Sequence, residues 1–256
     1  MINQRFQRSS ARGTKVYFFV PFCFFIFFTS LPLLLQAQLD TTVPQVYSTF
    51  DSIVGEQNME LYNGPLFQES FVGKSDTHAY FLLRDFVKGD IIFDGQSYFE
   101  QNVKYHVHLD ELLITPKYKP TGLLVRLVKN KVNEFTIDGH RFIRLPSTIV
   151  DSQQYGYLEV IETRGQNLLL KKYRKKKVES RKESRVVFEY EEEIDYFLLF
   201  RGQLVEANTK GHWNNIFIDQ KKELRDFFKQ NRIAYRTDKD IFFKLLFNKL
   251  ANPIES

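Results

Sequence analysis

The chain has 256 residues, 43% hydrophobic, 26% charged and 16% aromatic, with 12 Gly, 8 Pro, one Cys and a formal net charge of +5. That length and apolar content fit one globular domain, or at most two, and exclude collagen-like, low-complexity and wholly disordered chains. A single cysteine excludes a disulfide framework and a thiolate metal cluster, while a pI near 9.1 leaves nucleic-acid binding open until the charges are located.

Residues 1–37 read as a secretory signal peptide. Arg5, Arg8, Arg12 and Lys15 form a basic start without an acid. The run from Val16 to Leu35 is apolar apart from Pro21, Thr29, Ser30 and Pro32, and the small Ala37 precedes the first acid, Asp40. Cleavage is expected near Ala37, although Leu35 stands where a second small residue is preferred. The alternative is an uncleaved inner-membrane signal anchor, since about twenty helical residues would span roughly 30 Å. Two prolines and the Thr29-Ser30 break argue against it by shortening the apolar stretch. Cys23 follows Val20-Pro21-Phe22, which is not a lipoprotein cleavage box, so it is expected to leave with the signal. Removing four positive residues would take the net charge from +5 to +1.

An extended, irregular segment, 38–74, leads to a predicted antiparallel β domain at 75–207. Asp94-Gly95 and Asp138-Gly139, each between apolar runs, are strong two-residue hairpin signals, because both central residues must take positive φ. Lys129-Asn130, Arg164-Gly165 and Arg201-Gly202 are weaker turns of the same kind. Alternation places Val103, Tyr105, Val107 and Leu109 on one strand face and Lys104, His106, His108 and Asp110 on the other. Leu123 to Val128 is apolar on both faces, which predicts a strand inside the sheet or under a covering helix. From Val186 to Phe200 the even positions are mostly apolar and the odd ones from Glu189 to Asp195 acidic, giving one long strand or two joined by a bulge near Glu192. About nine strands should form a meander that curls into a half-barrel or barrel, with a β-sandwich as the alternative.

In 208–256 the period becomes helical. Leu224, Phe227 and Phe228 follow Asp219, and Ile241, Phe242, Leu245, Leu246 and Leu250 follow Thr237. Two amphipathic helices joined by Asn231 to Arg236 are expected to lie on the sheet, with Thr237 and Asp240 approximating a capping box. The fold class is therefore mainly β (α+β), one globular domain over 38–256.

For chemistry, His106 and His108 with Asp110 are the candidate metal ligands, since alternation would aim all three side chains one way. The His-x-His strand resembles the cupin pattern, but Glu111 follows too soon and no glycine precedes at the expected distance. Lys104 beside the histidines would repel a cation, and His78, His140 and His212 are too scattered for sequence to gather. A solvated polar face is the plainer reading, and no cofactor is predicted. No Gly-x-Ser-x-Gly elbow or phosphate-cradling loop is present. Carboxylates for glycoside hydrolysis exist, but nothing singles out a pair, so an enzyme is not expected.

Residues 171–185 carry nine basic and two acidic side chains. Lys172, Arg174 and Lys176 are the candidate contacts for an anionic lipid or polysaccharide surface. The structural reading sets this strand beside Glu189, Glu191, Glu192, Glu193 and Asp195, so that opposite charges fix the pairing. Nucleic acid is not expected as a partner of an exported chain.

The segments Leu33-Leu34-Leu35-Gln36-Ala37-Gln38, Leu61-Tyr62-Asn63-Gly64, Gly89-Asp90-Ile91-Ile92-Phe93-Asp94-Gly95, Asp110-Glu111-Leu112-Leu113-Ile114 and Gly156-Tyr157-Leu158-Glu159-Val160, with the closing helices, resemble a family of uncharacterised exported proteins of Bacteroidetes-type bacteria. The resemblance implies a periplasmic, outer-membrane-associated or secreted location and carries no site residue. The expected function is a non-enzymatic binding or structural module of the envelope, whose partner is an envelope protein, a lipid or a polysaccharide. Membrane contact is expected only through an uncleaved signal or surface association. The alternatives are a carrier of an apolar ligand inside the curled sheet and a metal-dependent enzyme using His106 and His108.

Overall fold

The computed structural model describes residues 59–69, 77–116, 123–149, 152–182 and 185–251, all within the unit Tyr47–Ser256. The signal-peptide reading of 1–37 and the fate of Cys23 lie outside these residues. Ten strands form: β1 (Val87–Phe93), β2 (Gln96–His106), β3 (Glu111–Thr115), β4 (Val125–Arg126), β5 (Val132–Ile137), β6 (His140–Arg144), β7 (Tyr157–Arg164), β8 (Asn167–Lys182), β9 (Arg185–Phe200) and β10 (Gln203–Glu206). They make one antiparallel sheet in the order β10-β9-β8-β7-β6-β5-β1-β2-β3-β4. The expected mainly β architecture with a curled sheet is what forms. The sheet is not closed, because β10 and β4 remain its edges.

Four of the five expected turns join paired strands. Asp94-Gly95, Asp138-Gly139 and Arg201-Gly202 take positive φ at both positions, as a two-residue turn matched to strand twist requires. The β7–β8 turn sits one residue later than expected, at Gly165 and Gln166, with Arg164 paired to Asn167. Lys129-Asn130 is different. It belongs to a 3-10 turn, Lys129–Lys131, that leads β4 into β5 without pairing them. β5 adds instead to the far side of β1, so the chain runs as two meanders joined by a crossover. Leu123 to Val128 likewise yields only the short edge strand β4, whose Val125 is bridged by Leu66.

A bulge resolves the parity of β2. Gly89 pairs with Gln101 and Ile91 with Tyr98, which leaves an extra residue on β2 around Glu100, at φ 55. Even-numbered Tyr98 and odd-numbered Val103 and Tyr105 therefore all face the same core. β9 forms as one long strand, the first of the two readings, with no bulge near Glu192.

The sheet rolls far enough for distant strands to touch. Asp110, just after β2, bonds Lys172 on β8 at 2.7 Å, although β1, β5, β6 and β7 lie between those strands in the sheet. Lys175 Nζ on β8 donates to the carbonyls of His78 and Tyr80. Inside the roll, Tyr105, Phe135, Phe142 and Tyr157 meet at ring distances of 4.9–5.8 Å.

Five helices complete the described chain: α1 (Ser152–Tyr155), α2 (Lys210–Ile216), α3 (Lys221–Gln230), α4 (Arg232–Thr237) and α5 (Lys239–Leu250). The two expected amphipathic helices are α3 and α5. α2 and α4 arise where connections were expected. α2 forms because Thr209 caps it through the His212 N–H and because Trp213 is buried. α5 is capped by Asp238, which accepts from the Ile241 N–H, one residue beyond the expected Thr237. Along β8 one face passes from Tyr173 in the rolled core to Leu169 under the helices. Lys171 between them bonds Asp240 of α5 at 2.7 Å. Among the described residues no helix is long and apolar enough to cross a membrane.

Candidate functional site

β2 ends at His106, and the turn Val107–Asp110 folds back against β8. Two depressions border this turn. The first is a cleft of about 550 Å³ whose walls carry Phe67, His78, Tyr80, His106, His108 and Tyr190. The rings form a connected set: Phe67 to His106 at 5.6 Å, Tyr80 to His106 at 5.0 Å, His106 to His108 at 6.2 Å and His108 to Tyr190 at 5.6 Å. Glu69, Arg84 and Lys177 add charge to the same walls.

The imidazoles are held by the backbone. His106 Nδ1 accepts the Leu109 N–H at 3.1 Å. His108 Nδ1 lies 2.7 Å from the Lys175 carbonyl, so that nitrogen carries a proton and donates it there. Burial, with the neighbouring His108, pulls His106 down to about 4. Burial and the charges of Lys175 and Arg84 lower His78 as well. Both rings are neutral at pH 7. Tyr80 donates to Glu69 at 2.6 Å, and burial together with that carboxylate raises its hydroxyl. Lys104 stacks its ammonium 3.8 Å above the Tyr80 ring.

Asp110 does not join the histidines. At φ 56 its carboxylate turns inward, where it accepts from Tyr105 Oη at 2.6 Å, Lys172 Nζ at 2.7 Å and Lys129 Nζ at 2.5 Å. Burial pushes Asp110 up, but the two ammonium groups outweigh it and hold the carboxyl below its usual range. Lys172, only 4% exposed, also donates to the Tyr157 carbonyl at 3.1 Å. Gly156 makes room for this arrangement, since a Cβ there would stand 1.6 Å from Asp110 Oδ2. Asp110 is thus occupied by two cations, and His106 and His108 share a cleft without it. Among the described residues no group of three or more metal-ligating side chains converges.

The second depression, a groove of about 500 Å³, gathers Lys172, Arg174 and Lys176 with Asp110 and Lys129. The three β8 residues meet there because they alternate onto one face. Arg174 is ion-paired with Asp195, and Lys176 is exposed opposite Glu191. The roles of His78, Tyr80, Tyr190 and Lys129 escaped sequence reasoning. Only a pairing map would place His78 and Tyr190, separated by more than a hundred residues, in one cleft. No protein family, curated protein or solved structure matches the chain.

Proposed function

We propose that this chain is an exported, non-enzymatic binding module whose ligand seat is the ring-lined cleft at the end of β2, and that the ligand is a saccharide. The export part rests on the basic, apolar and small order of residues 1–37 and on the resemblance to exported proteins. The observation that carries the ligand is the set of rings around about 550 Å³ of open space, with Glu69, Arg84 and Lys177 beside them. A sugar ring offers apolar C–H faces that pack on aromatic platforms and hydroxyl edges that bond side chains of this kind. Burial keeps His106 and His78 uncharged at pH 7, so they act as hydrogen-bonding groups and flat walls. A carrier for an apolar tail is less well supported, because Tyr105, Phe135 and Phe142 fill the inside of the roll.

Isothermal titration of the purified protein with neutral and uronic-acid oligosaccharides tests the reading. At least one member should bind, and Tyr190→Ala, which removes a wall ring, should weaken it by about tenfold, the upper end of one aromatic contact. No binding at millimolar concentration by any member, or equal binding by Tyr190→Ala, would overturn it.

A further inference from the structure

The groove on β8 holds an imbalance of charge. Lys129 and Lys172 both bond the single carboxylate of Asp110, at 2.5 and 2.7 Å, so one positive charge at that point has no acidic partner within the trio. Tyr105 adds a third donor to the same carboxylate but no negative charge. Arg174 is already matched by Asp195, and the Lys175 ammonium is directed to the His78 and Tyr80 carbonyls, with Glu192 3.9 Å away. Lys176, opposite Glu191 on β9, adds a further cation, and among the described residues Glu193 borders the groove together with Asp110. Burial outweighs Asp110 and lowers Lys172 from its usual value, the sign expected of an ammonium short of counter-charge.

We propose that this groove is a seat for a small oxyanion, a carboxylate, sulfate or phosphate group, held by Lys129, Lys172 and Lys176. The partners it would use remain available. An ammonium has three donors, and Lys172 spends two of them on Asp110 and the Tyr157 carbonyl. Lys129 is about one-third exposed and reaches the groove from the 3-10 turn before β5. An anion placed between them completes the charge balance of a partly desolvated cluster, where an uncompensated cation is costly. This inference stands apart from the saccharide reading, because it uses none of the cleft's rings.

Inorganic phosphate is the probe, titrated against the purified protein at constant ionic strength with sodium chloride as the balancing salt, and followed by thermal shift and calorimetry. The wild type should give a saturable rise in melting temperature. Lys129→Met should weaken the apparent affinity at least fivefold, and Lys176→Met should weaken it in the same direction. Asp110→Asn, which keeps a residue tolerant of positive φ, should tighten it by freeing both ammonium groups. Glucuronate against glucose in the same format identifies the source: tighter binding of glucuronate than of phosphate marks an anionic sugar, and the reverse marks a free inorganic anion. A response no larger than that to chloride, or one retained in Lys129→Met, would overturn the proposal.

Discussion

Gly156 and Asp110 show how one residue's missing side chain sets another's chemistry. Gly156 has φ 59, and its absent Cβ would overlap Asp110 Oδ2. Gly156→Ala should therefore cost about 3 kcal/mol from positive-φ strain and overpacking, read as a lower urea midpoint. Asp110→Ala should cost more, about 3–5 kcal/mol, because it strands a buried ammonium. Lys172→Met should cost less than Asp110→Ala, because Asp110 keeps Lys129. The reverse order in urea melts would show that the trio is not coupled through Asp110. His106 supplies a pH signature. Burial and His108 lower its folded value to about 4 from 6.5, so its contribution is complete above about pH 6.5 and is lost as pH falls towards 4. The stability gap between wild type and His106→Gln should therefore shift against the wild type between pH 7.5 and 4.5. A gap independent of pH would show that the imidazole is not buried as described. His106 and His108 do lie side by side, with ring centroids 6.2 Å apart. Yet β2 ends at His106, so strand alternation governs neither the place of His108 nor the inward turn of Asp110.

At the level of elements, what could be read from sequence was what local chemistry decides. Asp-Gly turns, the long alternation of β9 and the helical period of α5 each depend on neighbours within a few residues, and each was placed. The basic and acidic strands were also placed together, with Arg174 opposite Glu193, Lys175 opposite Glu192 and Lys176 opposite Glu191. Elements decided by distant packing were missed. α2 is a seven-residue helix, too short to hold by itself. It persists because Trp213 is fully buried, stacks on Phe217 and Phe243 at 5.7 Å each and donates to the Ala207 carbonyl at 2.8 Å. Trp213→Ala should cost about 3–5 kcal/mol in chemical denaturation followed by circular dichroism, whereas Trp213→Phe, which keeps a ring in the stack, should cost clearly less. β4 failed in the opposite direction. Its apolar run signalled a strand inside the sheet or under a covering helix, yet it lies at the sheet edge, with Leu123 and Val128 exposed and Leu66 bridged to Val125.

Across the whole molecule, the step that sequence could not supply is the return of β5 to β1. A crossover between strands leaves no two-residue turn to read, and it decides which half of the sheet meets which. It brings β5 to β7 alongside β1, and the roll then carries β8 round to the β2–β3 turn. Three clusters of apolar residues result: one inside the roll, one under the helices, and a smaller one around Leu158, Leu170 and Phe197. They are not independent units, because β7 and β8 contribute to all three. Tyr157 and Tyr173 serve the first, Leu169 the second, and Leu158 and Leu170 the third. Two long strands shared in this way cannot lose one cluster and keep their register in the others. Equilibrium unfolding should therefore be a single transition. Trp213 is the only tryptophan and sits among the helices, so its fluorescence reports that cluster alone, while far-ultraviolet circular dichroism follows mainly the sheet. The two urea curves should share one midpoint and one slope. An earlier fluorescence transition would mean that the helices detach first, and that the Lys171–Asp240 bond and the Leu169 contact do not bind them to the roll.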